Sequence, residues 1–172
     1  ALPVAFRFFG SYSPPLYTYL TAVAVKFFGL NIFSVRFFSA VFGVLGVGLI
    51  YFFFKGKKGL IAAFLMTFCP WGIFFSRAGY EINLGFVIFS LGILFLWWGI
   101  TKPKFLLYAY PILSLSTYGA HSELYLVPLL ILAFLVIFKK YSRWGLILAF
   151  LIQIPNLYLL FTLKLLVILE NI

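Results

Sequence analysis

Only three carboxylates occur in this chain of 172 residues, Glu81, Glu123 and Glu170, together with one histidine, His121, and no Asp. Arg77 and Glu81 stand four apart in FFSRAGYEINLGF, residues 74–86. At that spacing two side chains meet on one face of a helix. The pair either closes a structural ion pair at a helix end, or presents Arg77 to an anionic headgroup while Glu81 orients it or contacts a polar substrate. Ionisable groups near a membrane are costly, and on the inward face of a bundle they point to a site. His121 and Glu123 lie two apart in YGAHSELY. A polar turn explains them, as does a substrate contact or half of a metal site, although two residues do not define one. Tyr118 and Tyr125 flank them and could line a sugar pocket by stacking or hydrogen bonding. Arg36, in NIFSVRFF, suits a phosphate clamp or an interfacial anchor equally. Tyr12 and Ser13, ahead of Pro14-Pro15, could form a rigid turn.

The elements that must position these residues are membrane helices. Hydrophobic residues make up 65% of the chain and charged residues 9%, where a soluble domain carries about a quarter charged. Mean hydropathy is +1.16. The net charge of +10 does not indicate nucleic acid, because the basic residues are scattered between apolar runs, as charges at helix ends are, where some contact anionic lipid. Six apolar runs follow one another: 37–54, 59–76, 83–100, 105–119, 124–138 and 144–163. A crossing helix needs about 20 apolar residues, and four runs reach that range. The fourth and fifth are short, with a loop at 119–123 that is expected to be partly embedded; a single long tilted helix over 105–138 is the alternative. Pro14-Pro15 start and Gly29 ends a further segment, 14–30, that reads as a helix lying in the interface. The expected fold is all-α, a polytopic transmembrane bundle of about six spans behind an interfacial helix. It forms a single membrane domain over 1–172, with an outer-face loop and the interfacial helix in 1–30 and spans over 37–163.

Loop charge assigns sides. Lys55, Lys57 and Lys58, then Lys102 and Lys104, then Lys139, Lys140 and Arg143 fill alternate connections without an acid. The positive-inside rule makes that face cytoplasmic. Arg7, Ser13, Lys26, Arg36, Arg77, Glu81, His121, Glu123, Lys164 and Glu170 then fall on the outer side. Cys69, the one cysteine, lies within an apolar run and reads as a packing residue. No P-loop, dinucleotide turn, Cys pair or Ser-His-acid spacing occurs. Gly43, Gly46 and Gly48 suit close helix packing. There is no fixed-period repeat, which argues against an inverted-repeat transporter. The chain starts with Ala1, shows no signal peptide, and ends without a polar tail, so it reads as an internal fragment of a longer protein.

The order SYSPPLYTYL, FGLNIFSVRFFSAVFGVL, CPWGIFFSRAGYEINLGF, LSTYGAHSELYLVPL resembles the GT-C membrane glycosyltransferases over about residues 3–138. It is most similar to the bacterial branch related to protein O-mannosyltransferases and lipid A aminoarabinose transferases. Arg36, Arg77, Glu81 and His121 match the family pattern; Ser13 stands where relatives often carry Lys or His, Gly72 where His is common, and Phe37-Phe38 where Leu-Pro is usual. The resemblance implies a multi-pass enzyme of the cytoplasmic membrane with an outward-facing site. It would pass a sugar from a polyprenyl-phosphate carrier to a lipid, glycan or protein acceptor, with membrane lipids as its other partners and no nucleic acid. It implies carrier-phosphate contacts at Arg36 and Arg77, and Tyr12, Ser13, Glu81, Tyr118, His121 and Glu123 lining the substrate. It also implies a general base upstream of Ala1, hence a fragment inactive alone. No cofactor is expected, and a divalent metal is a possibility the residues do not support. The rival reading is a transporter or flippase subunit for lipid-linked sugars.

Overall fold

Pro15 opens the first helix, α1 (Pro15–Phe28), where its missing amide costs nothing. The computed structural model describes the backbone of residues 6–8, 11–139 and 141–170 and the side chains of 13–139 and 141–158. Lys140 and the side chains of Arg7, Tyr12, Lys164 and Glu170, all weighed above, lie outside the described residues. Ahead of α1, two three-residue strands, β1 (Phe6–Phe8) and β2 (Ser11–Ser13), pair antiparallel with Phe6 opposite Ser13. Gly29, at φ 76°, closes α1. Asn31 then caps α2 (Ile32–Phe54) by accepting from the Ser34 amide at 2.8 Å, while the Ser34 hydroxyl donates back to the Gly29 carbonyl at 2.6 Å.

α2 turns at Lys55, φ 48°, into α3 (Gly56–Thr67). Pro70 cannot continue a helix begun before it, so α3 stops and α4 (Pro70–Ala78) starts, the two axes meeting at 57° with Cys69 in the break. α5 (Ile82–Thr101) passes through a short 3₁₀ turn at Pro103–Phe105 into α6 (Leu106–Ser116), followed by α7 (Glu123–Phe138) and α8 (Arg143–Glu170).

The core joins α5, α6, α7 and α8 through Leu96, Leu106, Leu113, Val127, Phe134 and Ala149, around the fully buried Tyr110. Along α5, Gly85, Gly92 and Gly99 recur every seventh residue and receive Ala120, Leu113 and Leu106, themselves seven apart. A Cβ at Gly92 would lie 2.6 Å from Leu113, and one at Gly85 2.7 Å from the Ala120 methyl. This is an antiparallel knob-and-hole ladder in which the hole is a missing side chain. Gly145 brings α8 equally close, to the Leu106 carbonyl. On the other side of α5, Gly43 and Gly46 of α2 face Asn83, Phe86 and Val87, so α2 and α5 run parallel. The three lysine-bearing connections, Lys55–Lys58, Lys102–Lys104 and Lys139–Arg143, therefore sit at one end of the bundle. Arg36, Arg77, Glu81, His121 and Glu123 sit at the other.

The expected six spans are not all present as such. Among the described residues two helices, α2 and α5, are long and apolar enough to cross a membrane, or three if the bent α3–α4 pair counts as one span. α6, with 11 residues, and α7, with 16, rise about 16 and 24 Å, short of a hydrocarbon core of about 30 Å. The turn over 117–122 separates them, so 105–138 is not one long helix. Large apolar side chains such as Val44, Phe64, Trp71, Trp97 and Trp144 lie exposed on the outside, as lipid-facing residues do. The chain is a membrane protein built almost wholly of helix.

Candidate functional site

A seam of small polar side chains fixes α4 against its neighbours. The Ser39 hydroxyl, wholly buried on α2, donates to the Phe75 carbonyl at 2.7 Å and lies 3.3 Å from the Tyr80 carbonyl. Asn83, at the start of α5, donates to the Ser39 carbonyl at 3.1 Å and to the Ser76 hydroxyl at 3.0 Å. Ser76 in turn donates to the Gly72 carbonyl at 2.7 Å. In an apolar surround each such bond is costly to leave unmade, so the set holds three helices in one register. Gly79 ends α4 in the left-handed region, φ 73° and ψ 37°, which a residue with a Cβ adopts only at a cost. Its Cα rests on the first turn of α2: a Cβ there would lie 3.5 Å from the Val35 carbonyl and 3.6 Å from Arg36 Cγ.

The result is a groove of about 550 Å³ in which Arg36 of α2 and Arg77 of α4 share one wall system with Phe68, Pro70, Ile73 and Phe74. Both arginines are exposed. Arg36 also borders an apolar depression of about 400 Å³ along α2, beside Phe33, Phe37 and Val44. Arg77 also borders a cavity of about 260 Å³ behind the groove, with Thr67, Ser76 and Asn83. Two guanidinium forks beside aromatic and aliphatic walls suit an amphiphilic anion, since Arg pairs with phosphate oxygens two at a time. Arg77 and Glu81 do not share one helix, because Gly79 ends α4 between them. Among the described residues no ion pair joins them. Arg77 instead occupies the last turn of α4, where a cation suits the helix dipole. Glu81 is half-buried ahead of α5; burial raises the Tyr17 phenol's pKa, the polar groups of Thr21 and Ser39 act the other way, and the Glu81 charge adds the smallest upward push.

The turn between α6 and α7 forms the adjoining corner. Glu123 is 5% exposed, its Oε1 lies where Gly85 would carry a Cβ, and its Oε2 has no hydrogen-bond partner. Burial pushes this carboxyl up to about 7, with Ser116 acting weakly the other way. Gly85 lies one turn past Glu81, on α5. His121 is exposed on the same turn. The Tyr118 hydroxyl donates to the Ile152 carbonyl at 2.6 Å, and its own carbonyl accepts from the Leu16 amide at 3.3 Å. Gln153 donates to the Ser114 carbonyl and the Thr117 hydroxyl at 3.0 and 2.9 Å, and Asn156 donates to Thr117 and Gln153, both at 3.1 Å. Pro155 lies within the same turn of α8 and leaves the Leu151 carbonyl without a helical amide donor.

The structure thus brings Arg36 and Arg77 together and sets Glu81 and Glu123 beside α5, with Ser13 ahead of the buried Pro14-Pro15. Sequence reasoning did not single out Ser39, Asn83, Tyr17, Gln153 or Asn156. The signal was present: each is a polar residue inside an otherwise apolar helix. Among the described residues no three His, Cys, Asp or Glu side chains gather as metal ligands.

No curated protein and no solved structure matches the chain. The family model for dolichyl-phosphate-mannose-protein mannosyltransferase matches residues 12–168. That match takes in α1 to α7, the arginine groove and the Glu123 corner, and the chain therefore belongs to this family of GT-C membrane glycosyltransferases.

Proposed function

We propose that the chain is part of a multi-pass glycosyltransferase that moves a sugar from a polyprenyl-phosphate carrier to an acceptor on the outer side of the cytoplasmic membrane. The observation that carries this reading is the groove shared by Arg36 and Arg77 between apolar walls. The carrier phosphate is the leaving group and gains negative charge in the transition state, which two aimed guanidiniums stabilise. The isoprenoid end meets Phe68, Ile73 and Phe74 while the phosphate meets the two arginines. Glu81, His121 and Ser13 line the sugar and acceptor side, and Glu123 backs that corner from its packing against Gly85. Tyr118 contributes its ring there, because its hydroxyl is already bonded to α8. We assign no general base within the chain and no metal.

The bent α3–α4 pair favours one rival, since broken helices beside a substrate groove are also a transporter feature. One experiment separates the two. The full-length gene product is reconstituted in vesicles with polyprenyl-phosphate sugars, and release of carrier phosphate is measured with and without Arg77→Ala. The transferase reading expects turnover that falls about 10²–10³-fold in the variant, the loss typical of one transition-state donor. Unchanged turnover in the variant would refute the phosphate role. Movement of the carrier across the bilayer without cleavage would establish the transporter.

A further inference from the structure

We infer that Tyr17 is a positioning residue for Arg36, acting through the peptide that joins Val35 to Arg36. The inference rests on the phosphate role proposed for Arg36 and deepens it.

Arg36 is exposed, and among the described residues no carboxylate holds its side chain. Where its guanidinium can reach is therefore set by its backbone, in the first turns of α2. Two elements grip that backbone from opposite partners. The Tyr17 hydroxyl, on a side chain only 7% exposed, donates to the Val35 carbonyl at 2.7 Å. Gly79, two residues after Arg77, lies over the same carbonyl and Arg36 Cγ, so that a Cβ there would meet them at 3.5 and 3.6 Å. The α4–α5 turn and the first turn of α1 thus converge on one peptide, and that peptide carries one of the two groove arginines. Tyr17 is itself anchored. Pro14 and Pro15 beside it are buried, and the neighbouring Leu16 amide donates to Tyr118 in the α6–α7 turn. A shift in that turn, which carries His121 and leads into Glu123, would reach Arg36 through the first turn of α1. A tyrosine needed only for packing would not require its hydroxyl; here the hydroxyl is the atom that meets the Val35 carbonyl.

The test is a double-mutant cycle on the full-length enzyme, with donor KM and kcat measured for the parent, Tyr17→Phe, Arg36→Ala and the double variant. Tyr17→Phe keeps the ring and removes one neutral hydrogen bond. kcat should fall about 2- to 10-fold with donor KM little changed, the size such a bond allows and the pattern expected when a group acting on transition-state charge is misplaced. In the Arg36→Ala background the same change should have no further effect, because the residue it positions is gone. An equal effect in both backgrounds would overturn the inference, since Tyr17 would then be acting on the whole fold. A normal kcat in Tyr17→Phe beside a lowered one in Arg36→Ala would overturn the inference and leave the phosphate role standing. Arg36→Ala with normal kinetics would overturn both. Should Tyr17→Phe fail to accumulate, Gly79→Ala supplies the second grip for the same cycle: its Cβ fits sterically, and only the positive φ strains the turn on which Arg36 rests.

Discussion

Replacing Glu123 by Gln should change how stability depends on pH. The carboxyl is buried against Gly85 and Ala120 with one oxygen unpaired, and burial raises its pKa from the usual 4.5 to about 7. A carboxyl of this kind binds its proton more tightly in the folded chain than in the unfolded one. Between pH 4.5 and about 7 the folded state therefore holds the extra proton, and stability falls as pH rises through that window. The separation of about 2.5 pH units, at 1.36 kcal/mol each, sets the loss at about 3 kcal/mol. Residual burial in the unfolded chain makes this an upper bound. Gln keeps the shape and does not ionise, so Glu123→Gln should remove the slope. Relative to the parent, the variant should gain up to about 3 kcal/mol between pH 4.5 and pH 8. The assay is detergent denaturation of the full-length protein across that range, read as the difference between the two proteins so that other titrations cancel. Parallel curves would refute the reasoning: Glu123 would then titrate as a hydrated carboxyl, and the 117–122 turn would not pack against α5 as described.

Two further perturbations probe the seams. Gly43→Val should cost about 1–3 kcal/mol in the same denaturation assay, because its Cβ would displace the Ser76 hydroxyl and break that residue's bonds to Gly72 and Asn83. Unchanged stability would mean α2 and α4 are not in close contact there. Gln153→Leu removes two donated bonds and the acceptor for Asn156, and should cost about 1–2 kcal/mol at the modest value of such bonds in membrane proteins; a stability gain would show that the α6–α8 network is not formed.

Punctuation in the sequence was legible where it was chemical. Pro14-Pro15 and Gly29 bound α1, and the basic connections do gather at one end of the bundle, because hairpins between apolar helices leave their charges at the ends. Continuous apolar runs were not legible in the same way. An apolar run of 59–76 carries no mark of a 57° bend except Pro70, whose effect on direction is settled by packing. The four-residue spacing of Arg77 and Glu81 suggested one helical face, and the glycine between them overrode it. Arg36 and Arg77 were named together from side assignment and the motif order of the family resemblance, whereas the seam of Ser39, Ser76 and Asn83 that brings them together depends on contacts between residues up to 44 positions apart. The glycines of α5 could have been read in advance: one every seventh residue, opposite an equal spacing on the next helix, is a pairing rule written in the sequence.

That spacing works as a rack with one pitch. A slide of α6 along α5 by a single turn would drive Leu106 and Leu113 into positions that already carry side chains. The next place where knobs and holes agree is seven residues away, a travel of about 10 Å. Between those two registers every stop meets a side chain, so the spacing holds the α5–α6 hairpin in one register. The α3–α4 pair is held differently: the break at Cys69 and Pro70 borders the arginine groove, and α4 beyond it is fixed by the hydrogen bonds of Ser39, Ser76 and Asn83 rather than by a repeat of one pitch.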